Sequence, residues 1–523
     1  MKKGLEYEGN VLRMDFPNRG IVRVESDDDT DGDGGLVTVK GAIPGQRVRF
    51  VVSKRRGERM EGRLREVTMR SPLETEENPC PHYGICGGCL YQTVPASSQR
   101  EIKKDQVLRL LAQVSPEIAK VFEGIFPGPD DRGYRNKMEY SFGDETKDGA
   151  FALGLHRAAS FYDIVTTDQC QLVHPDFRAV LRASKEYFAA SGVPFYRKMQ
   201  HTGYLRHLLI RRSRATGEML VDLVTTTQLD PERERELLGG FVRVLRELPL
   251  SGSLASVLHT RNDSLADAVK DEGTEVLFGR DYITECLLGL AFRITPFSFF
   301  QTNSGGAEVL YGKVREYALE ALGGKAARVR TIYDLYSGTG TIAQILAPVA
   351  EHVVGVEIVA EAVRAARENA ALNGLDNCTF IAGDVLKVVD ELTEKPDLMI
   401  LDPPRDGIHP KAISKLIGFG VPHIIYVSCK PTSLQRDLQI FRQAGYRTTR
   451  CCCVDMFPGT ANVETVCLLS KKNAKPKDCV EISVMLREKS LDTIGRIITG
   501  SRVQRKTFDR LLKFEEYVKK PVE

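Results

Sequence analysis

No tryptophan occurs among the 523 residues, an absence that by itself decides nothing. The other shortages are more useful. Cysteine is sparse, with twelve residues of which three are adjacent (Cys451, Cys452 and Cys453), too few for a disulfide scaffold. Reduced thiols in a cytoplasmic protein are expected, with some cysteines left for metal or catalysis. Excess charge is also lacking: 73 Lys and Arg against 70 Asp and Glu leave a net +3, which excludes a wholly basic nucleic-acid coat. Any such surface must be local. No apolar run approaches the roughly 20 residues that span a bilayer, and the start MKKGLEYEGN lacks the apolar stretch of a secretory signal. No membrane partner is expected. What remains is globular, 42% hydrophobic and 27% charged. At roughly 100–200 residues per domain, the length implies about three or four domains.

Residues 1–70 alternate apolar and polar positions between turn signals (GIVRVES, GGLVTVKGAIPG, QRVRFVVSKRRG), which predicts a small β barrel. Its loop SDDDTDGDGG (26–35) is acidic. Arg55, Arg56, Arg59, Arg63 and Arg65 crowd the end of this region, and a basic strand face on a barrel suits a phosphate backbone. Pro, Gly and Cys break the periodicity over 71–100, and a helix follows at about 97–113. From about 125 to 290, KMEYSFG, ALGLH, HLLIRRS, EMLVDLVT and SVLHTRN read as strands of an antiparallel sheet packed on helices. Within this stretch Arg197, Lys198, Arg206, Arg211, Arg212 and Arg214 fall together without an acid, and alternation predicts several of them on one sheet face as an electrostatic footprint. From about 325 strands and helices alternate, the grammar of a doubly wound parallel sheet closed by a final strand pair. The fold class is therefore α/β multidomain: 1–70 barrel, 71–290 central α+β domain, 291–473 Rossmann-like domain, 474–523 charged extension with a helix near 503–519.

Four motifs carry chemistry. DLYSGTG (334–340) runs from a strand through a glycine turn into a helix, where Gly338 and Gly340 let backbone approach a ligand. The third glycine of a dinucleotide pattern is missing, with Thr341 and Ala343 in its region. Glu357 ends the next strand about 20 residues on, where a ribose diol would lie, and Asp384 ends the third strand, placed to meet an adenine edge. These favour S-adenosylmethionine over NAD. LDPPRDG (401–407) ends the fourth strand, its prolines freeing Asp402 to point into the cleft. Arg405, where an aromatic residue would suggest amino methylation of a base, weakens that reading. VSCKP (427–431) puts Cys429 just after the fifth strand on the same edge, a candidate nucleophile beside Lys430. Addition of a soft thiolate to carbon 6 of uracil would make carbon 5 nucleophilic enough to take a methyl group. Glu464, in NVETV (462–466), is the natural base to remove the carbon-5 proton afterwards. Finally, Cys80, Cys86 and Cys89, with the distant Cys170, imply a metal; tetrahedral zinc and a [4Fe-4S] cluster fit the spacing about equally.

Taken together, the barrel, CPHYGICGGC (80–89), YRNK (134–137), QTN (301–303), DLYSGTG, DPPRDG, SCKP and VETV resemble, in order, the RNA uracil-5-methyltransferases, over about residues 1–473. The resemblance implies a TRAM-like, OB-like barrel, and a [4Fe-4S] cluster on Cys80, Cys86, Cys89 and Cys170. It implies donor contacts from Gln301, Tyr336, Glu357, Asp384 and Asp402, with Thr341 beside them. Cys429 becomes the nucleophile and Glu464 the base; the family often carries His where this chain has Asn462. Relatives with both barrel and cluster look like enzymes of 23S ribosomal RNA, whereas those acting on transfer RNA usually lack these parts. The expectation is a monomer acting on 23S rRNA, with transfer RNA second. A protein that binds RNA but carries an inactive methyltransferase domain is the other alternative, against which the intact set Gln301, Asp402, Cys429 and Glu464 speaks.

Overall fold

The computed structural model describes residues 1–24, 35–57, 59–77, 79–266, 269–323, 329–392 and 394–471. The acidic loop at 26–35, but for Gly35, and the expected helix near 503–519 lie outside the described residues. Among the described residues no helix is long and apolar enough to cross a membrane.

Five strands, Glu6–Asp15, Arg19–Val24, Leu36–Lys40, Arg47–Arg56 and Arg59–Met69, form a closed barrel. Alternation sends Val11, Val22, Val37, Val39, Val48, Phe50 and Val52 inward, and closure leaves no strand edge exposed. Arg59, Arg63 and Arg65 are exposed on the last strand.

A seven-stranded sheet follows, built around Lys137–Asp144, Leu205–Arg212, Glu218–Thr225 and Ser253–Arg261. It is antiparallel apart from one pair. Glu218–Thr225 and Ser253–Arg261 run parallel because the helix Pro231–Arg246 crosses over between them. The basic cluster does not form one RNA-facing surface. Arg206 and Arg211 are buried: Arg206 donates to the carbonyls of Asn262 and Ser264, both at 2.7 Å, and Arg211 to those of Pro296 and Ser298. Arg212 pairs with Asp176 at 3.0 Å, Arg214 with Asp130 and Arg197 with Asp148. Backbone carbonyls and acids distant in sequence take up these cations, which a local count of charges cannot foresee.

The third sheet has eight strands. Cys378–Ala382, Ala350–Glu357, Val329–Leu335, Leu398–Leu401 and His423–Ser428 are parallel in that order, and Glu464–Lys471 enters antiparallel beside the last. Runs such as LMIL are continuously apolar because such strands are covered on both faces. The helices Ser304–Ala321 and Ala360–Leu372 cover one face, through Leu310, Tyr311, Val363 and Ala366. Ala96–Ala112, Pro410–Gly418 and Pro431–Gln443 cover the other, through Val107, Leu111, Ile413, Leu416, Leu434 and Leu438. The strand order reverses at Val329–Leu335, whose neighbours are the second and fourth strands, so its carboxyl end opens a crevice. A strand from well before 291, Phe122–Pro127, adds the outer edge by pairing in parallel with Tyr446–Asp455. Behind it Lys103, fully buried, donates to Asp455 at 2.6 Å.

Candidate active site

The carboxyl ends of the parallel strands meet in one cleft of about 1330 Å³. Gln301, Tyr336, Gly338, Thr341, Glu357, Asp384, Asp402, Arg405, Cys429, Asn462 and Glu464 all line it, so residues spread over more than 160 positions come together.

The glycine turn is shaped by backbone conformation. Tyr336 takes a left-handed φ of 67°, a strained state for a side-chain-bearing residue, while Gly338 (54°) and Gly340 (72°) take it freely. Gly340 has a second constraint: a Cβ there would lie 2.5 Å from Cε1 of Phe380. The buried Asp334 starts the turn and accepts from the amide of Ala343 at 2.9 Å, tying strand to helix. Glu357 accepts from the amides of Gly338 (3.0 Å) and Val359 (2.9 Å), which holds its carboxylate at the cleft wall. Asp384 caps its short helix by accepting from Leu386 at 2.9 Å.

On the other side of the cleft, Cys429 follows His423–Ser428 and Glu464 begins the antiparallel neighbour, with Ser428 opposite Thr465. Burial pushes Glu464 up to about 8, with Asp402 adding to the shift and Arg405 opposing it. Burial likewise raises Asp402 to about 7. The Cys429 thiol is pushed up to about 11, first by burial and then by Glu464 and Asp402, while Arg405 acts to lower it. Lys430, which the sequence suggested as the thiolate's partner, instead lies 3.9 Å from Asp406. Arg405 lines the cleft with Cys429, and its charge acts on the thiol. Sequence reading treated Arg405 only as a departure from an aromatic motif, and it passed over Tyr311, which is buried against the cleft beside Gln301. The apolar period of the helix Ser304–Ala321 was the one local signal for Tyr311.

Cys80, Cys86, Cys89 and Cys170 line a second cavity, of about 220 Å³. All four are free thiols. Burial pushes the thiols of Cys86, Cys89 and Cys170 up, Cys89 to about 12 and Cys170 to about 11. This is opposed only in part by Gln92, which donates to the Cys89 sulfur at 3.3 Å, and by the backbone amides of Gly88 at Cys86 and Leu172 at Cys170. His82 also lines the cavity, but its Nε2 accepts from the Gln169 amide at 3.2 Å and thereby ties the two cysteine segments together. Among the described residues, no three or more His, Cys, Asp or Glu side chains are gathered tightly enough to hold a metal ion. Arg135 lines both this cavity and the larger cleft.

A family model described as tRNA (Uracil-5-)-methyltransferase matches residues 253–472. An uncharacterised RNA methyltransferase of Caldanaerobacter subterraneus subsp. tengcongensis is 48% identical over 473 residues, covering 90% of this chain and 100% of its own. Another, of Clostridium acetobutylicum, is 47% identical over 472 residues, covering 90% of this chain and 99% of its own. Among solved structures, the Pyrococcus abyssi tRNA (uracil-54, C5)-methyltransferase in complex with S-adenosyl-L-homocysteine is similar with a TM-score of 0.65 at 25% identity, covering 88% of this chain and all of that one.

Proposed function

The chain belongs to the RNA (uracil-5-)-methyltransferase family, and from that premise we propose that it methylates carbon 5 of a uridine in RNA through a covalent bond between Cys429 and the base, with S-adenosylmethionine as donor. One observation carries this reading: Cys429 and Glu464 lie across one strand pair, inside the cleft that Glu357, Asp384 and Asp402 also line. Glu357 suits the ribose diol, Asp384 the adenine edge, and Gln301, Tyr336 and Asp402 the remainder of the donor.

The chemistry runs in two halves. The Cys429 sulfur bonds to carbon 6, moving the pair of the 5,6 double bond toward carbon 5 as an enolate. Carbon 5 then bonds to the methyl carbon as its bond to sulfur breaks, leaving S-adenosylhomocysteine. Glu464 takes the carbon-5 proton, the 5,6 double bond re-forms, and the carbon–sulfur bond breaks to return the thiolate to Cys429. Burial holds the thiol near 11 even with Arg405 acting to lower it, so at neutral pH it is mostly protonated, and addition requires the positive sulfonium of the bound donor to favour thiolate.

The cofactor proposal concerns the second cavity. Cys80, Cys86, Cys89 and Cys170 line one cavity, and the resemblance of CPHYGICGGC to the family supports a [4Fe-4S] cluster on these four thiols over tetrahedral zinc. Such a cluster supplies ligation that clamps residues 80–89 to Cys170; no step of methylation passes through it.

For the RNA, 23S rRNA is proposed over transfer RNA, on the combination of a closed barrel, taken as a TRAM-like RNA-binding domain over 1–70, with the four-cysteine set in 71–290 and the methyltransferase domain in 291–473. The protein is proposed to act as a cytoplasmic monomer. Mapping 5-methyluridine in total RNA from cells lacking the protein tests the assignment: loss of a site in 23S rRNA supports it, and loss confined to transfer RNA replaces it with the second reading.

A further inference from the structure

The turn 456–460 joins the strand Tyr446–Asp455 to the segment that leads into Glu464, and distant parts of the fold hold each of its first four carbonyls. That of Met456 accepts from Asn303 Nδ2 at 2.9 Å, that of Phe457 from Lys103 Nζ at 3.1 Å, and that of Pro458 from the Tyr134 hydroxyl at 2.9 Å. The carbonyl of Gly459 accepts from the amides of Leu90 (2.7 Å) and Tyr91 (3.3 Å). The Gly459 amide in turn donates to Gln99 Oε1 at 2.7 Å, while Gln99 Nε2 donates back to the carbonyls of Tyr91 and Val94.

Two of these anchors belong to the cysteine segment, since Leu90 and Tyr91 follow Cys89 directly. The turn also packs against that segment. A Cβ added at Gly459 (φ 81°) would lie 3.3 Å from Gln92 Nε2 and 3.7 Å from the Cys89 sulfur. Thr460 lines the thiol cavity, whereas Phe457, Asn462 and Glu464 line the catalytic cleft. Within eight residues the chain therefore passes from the wall of one cavity to the base of the other. Tyr134 sits at the same junction, one residue before Arg135, which lines both.

We infer that the turn 456–460 is a strut that carries the position of the cysteine segment to Glu464, with Tyr134 and Gln99 as positioning residues for proton removal. The inference rests on the proposed roles of Cys429 and Glu464. Removing the carbon-5 proton demands a carboxylate within hydrogen-bond reach, and a displacement of about 1 Å costs on the order of a hundredfold. Cys429 follows a different strand end and the glycine turn shapes the donor wall, and none of the strut's hydrogen bonds named above reaches either. Weakening the strut should slow release of the methylated base selectively.

The test uses Tyr134→Phe and Gln99→Met in the full chain, beside the wild type and Glu464→Gln, with RNA extracted from cells lacking the protein as substrate. Iron per chain, adenosylmethionine affinity, methyl transfer into the covalent adduct in a single turnover, and release of free methylated RNA are each measured. In both variants, iron content and donor affinity stay within about twofold, methyl transfer keeps its rate, and release slows about tenfold or more with adduct accumulating. Release at the wild-type rate in both variants overturns the inference, and so does an equal slowing of every step, which is what a merely structural role produces. If Glu464→Gln itself releases product normally, the base assignment fails and the strut with it. If Glu464→Gln stalls while the two variants do not, the strut alone fails.

Discussion

Cys429 and Glu464 lie at the cleft end of an antiparallel pair, each one residue beyond the Ser428–Thr465 pairing. Nucleophile and base are thus carried by neighbouring strand ends, although 35 positions separate them in the sequence. Cys429 directly follows one strand and Glu464 begins its paired neighbour, so neither hangs on a long loop in a reaction in which one group must act after the other.

Cys429→Ala is expected to abolish methyl transfer while leaving adenosylmethionine affinity within a few-fold. The thiol forms the bond to uracil, and the donor wall is made by other elements. Single-turnover assays with labelled donor measure both quantities, and activity at even a tenth of wild type would remove Cys429 from the mechanism.

Glu464→Gln is expected to form the thiol adduct, transfer the methyl group and then stall. Methylated RNA joined to protein should accumulate as a slowly migrating band, because only proton removal and elimination are blocked. Absence of that band would mean that Glu464 acts earlier, in binding or addition.

Donor binding near pH 7 should release protons. Burial raises Glu464 from 4.5 to about 8 and Asp402 from 3.8 to about 7. The native protein therefore keeps protons that the unfolded chain has given up, so this contribution to stability is complete below the unfolded values and is lost as pH rises through about 7 to 8. The positive sulfonium favours both carboxylates, draws the protons off and restores stability at the higher pH. Calorimetric titration in two buffers of different ionisation enthalpy reads the protons directly, and Asp402→Asn should reduce their number. Proton uptake on binding would contradict the electrostatic account.

Anaerobically purified protein should be brown, with iron and sulfide near four each per chain on the order expected of one cluster. Cys170→Ser should lose the colour and weaken folding and RNA binding, while adenosylmethionine affinity stays nearly unchanged. Ligation offsets the loop entropy of holding Cys170 against residues 80–89, on the order of a few kcal/mol. Zinc without iron, or normal RNA binding by Cys170→Ser, would refute this reading.

Much of the site was legible in the linear chain. Glu357, Asp384, Asp402 and Cys429 each sit where a strand stops, and Glu464 where one starts. The ends are marked by local signals, namely apolar runs, glycine turns and the paired prolines after Asp402. In a doubly wound sheet those ends converge by topology, so motif order alone predicted one cleft. Tertiary structure decided the rest. It turned Arg206 and Arg211 inward onto carbonyls, away from the RNA-facing role that their neighbours in sequence suggested. It sent Lys430 toward Asp406 and set Arg405 in the cleft with the thiol, and it brought Phe122–Pro127 into a sheet whose other strands begin at 329. It also joined the turn 456–460 to Cys89, Gln99 and Tyr134. Local sequence specifies where a strand ends because sterics and hydrogen bonding act over a few residues; which charge is buried, and against what, depends on desolvation and on partners supplied by segments far along the chain, as Asn262 for Arg206, Pro296 for Arg211 and Asp455 for Lys103.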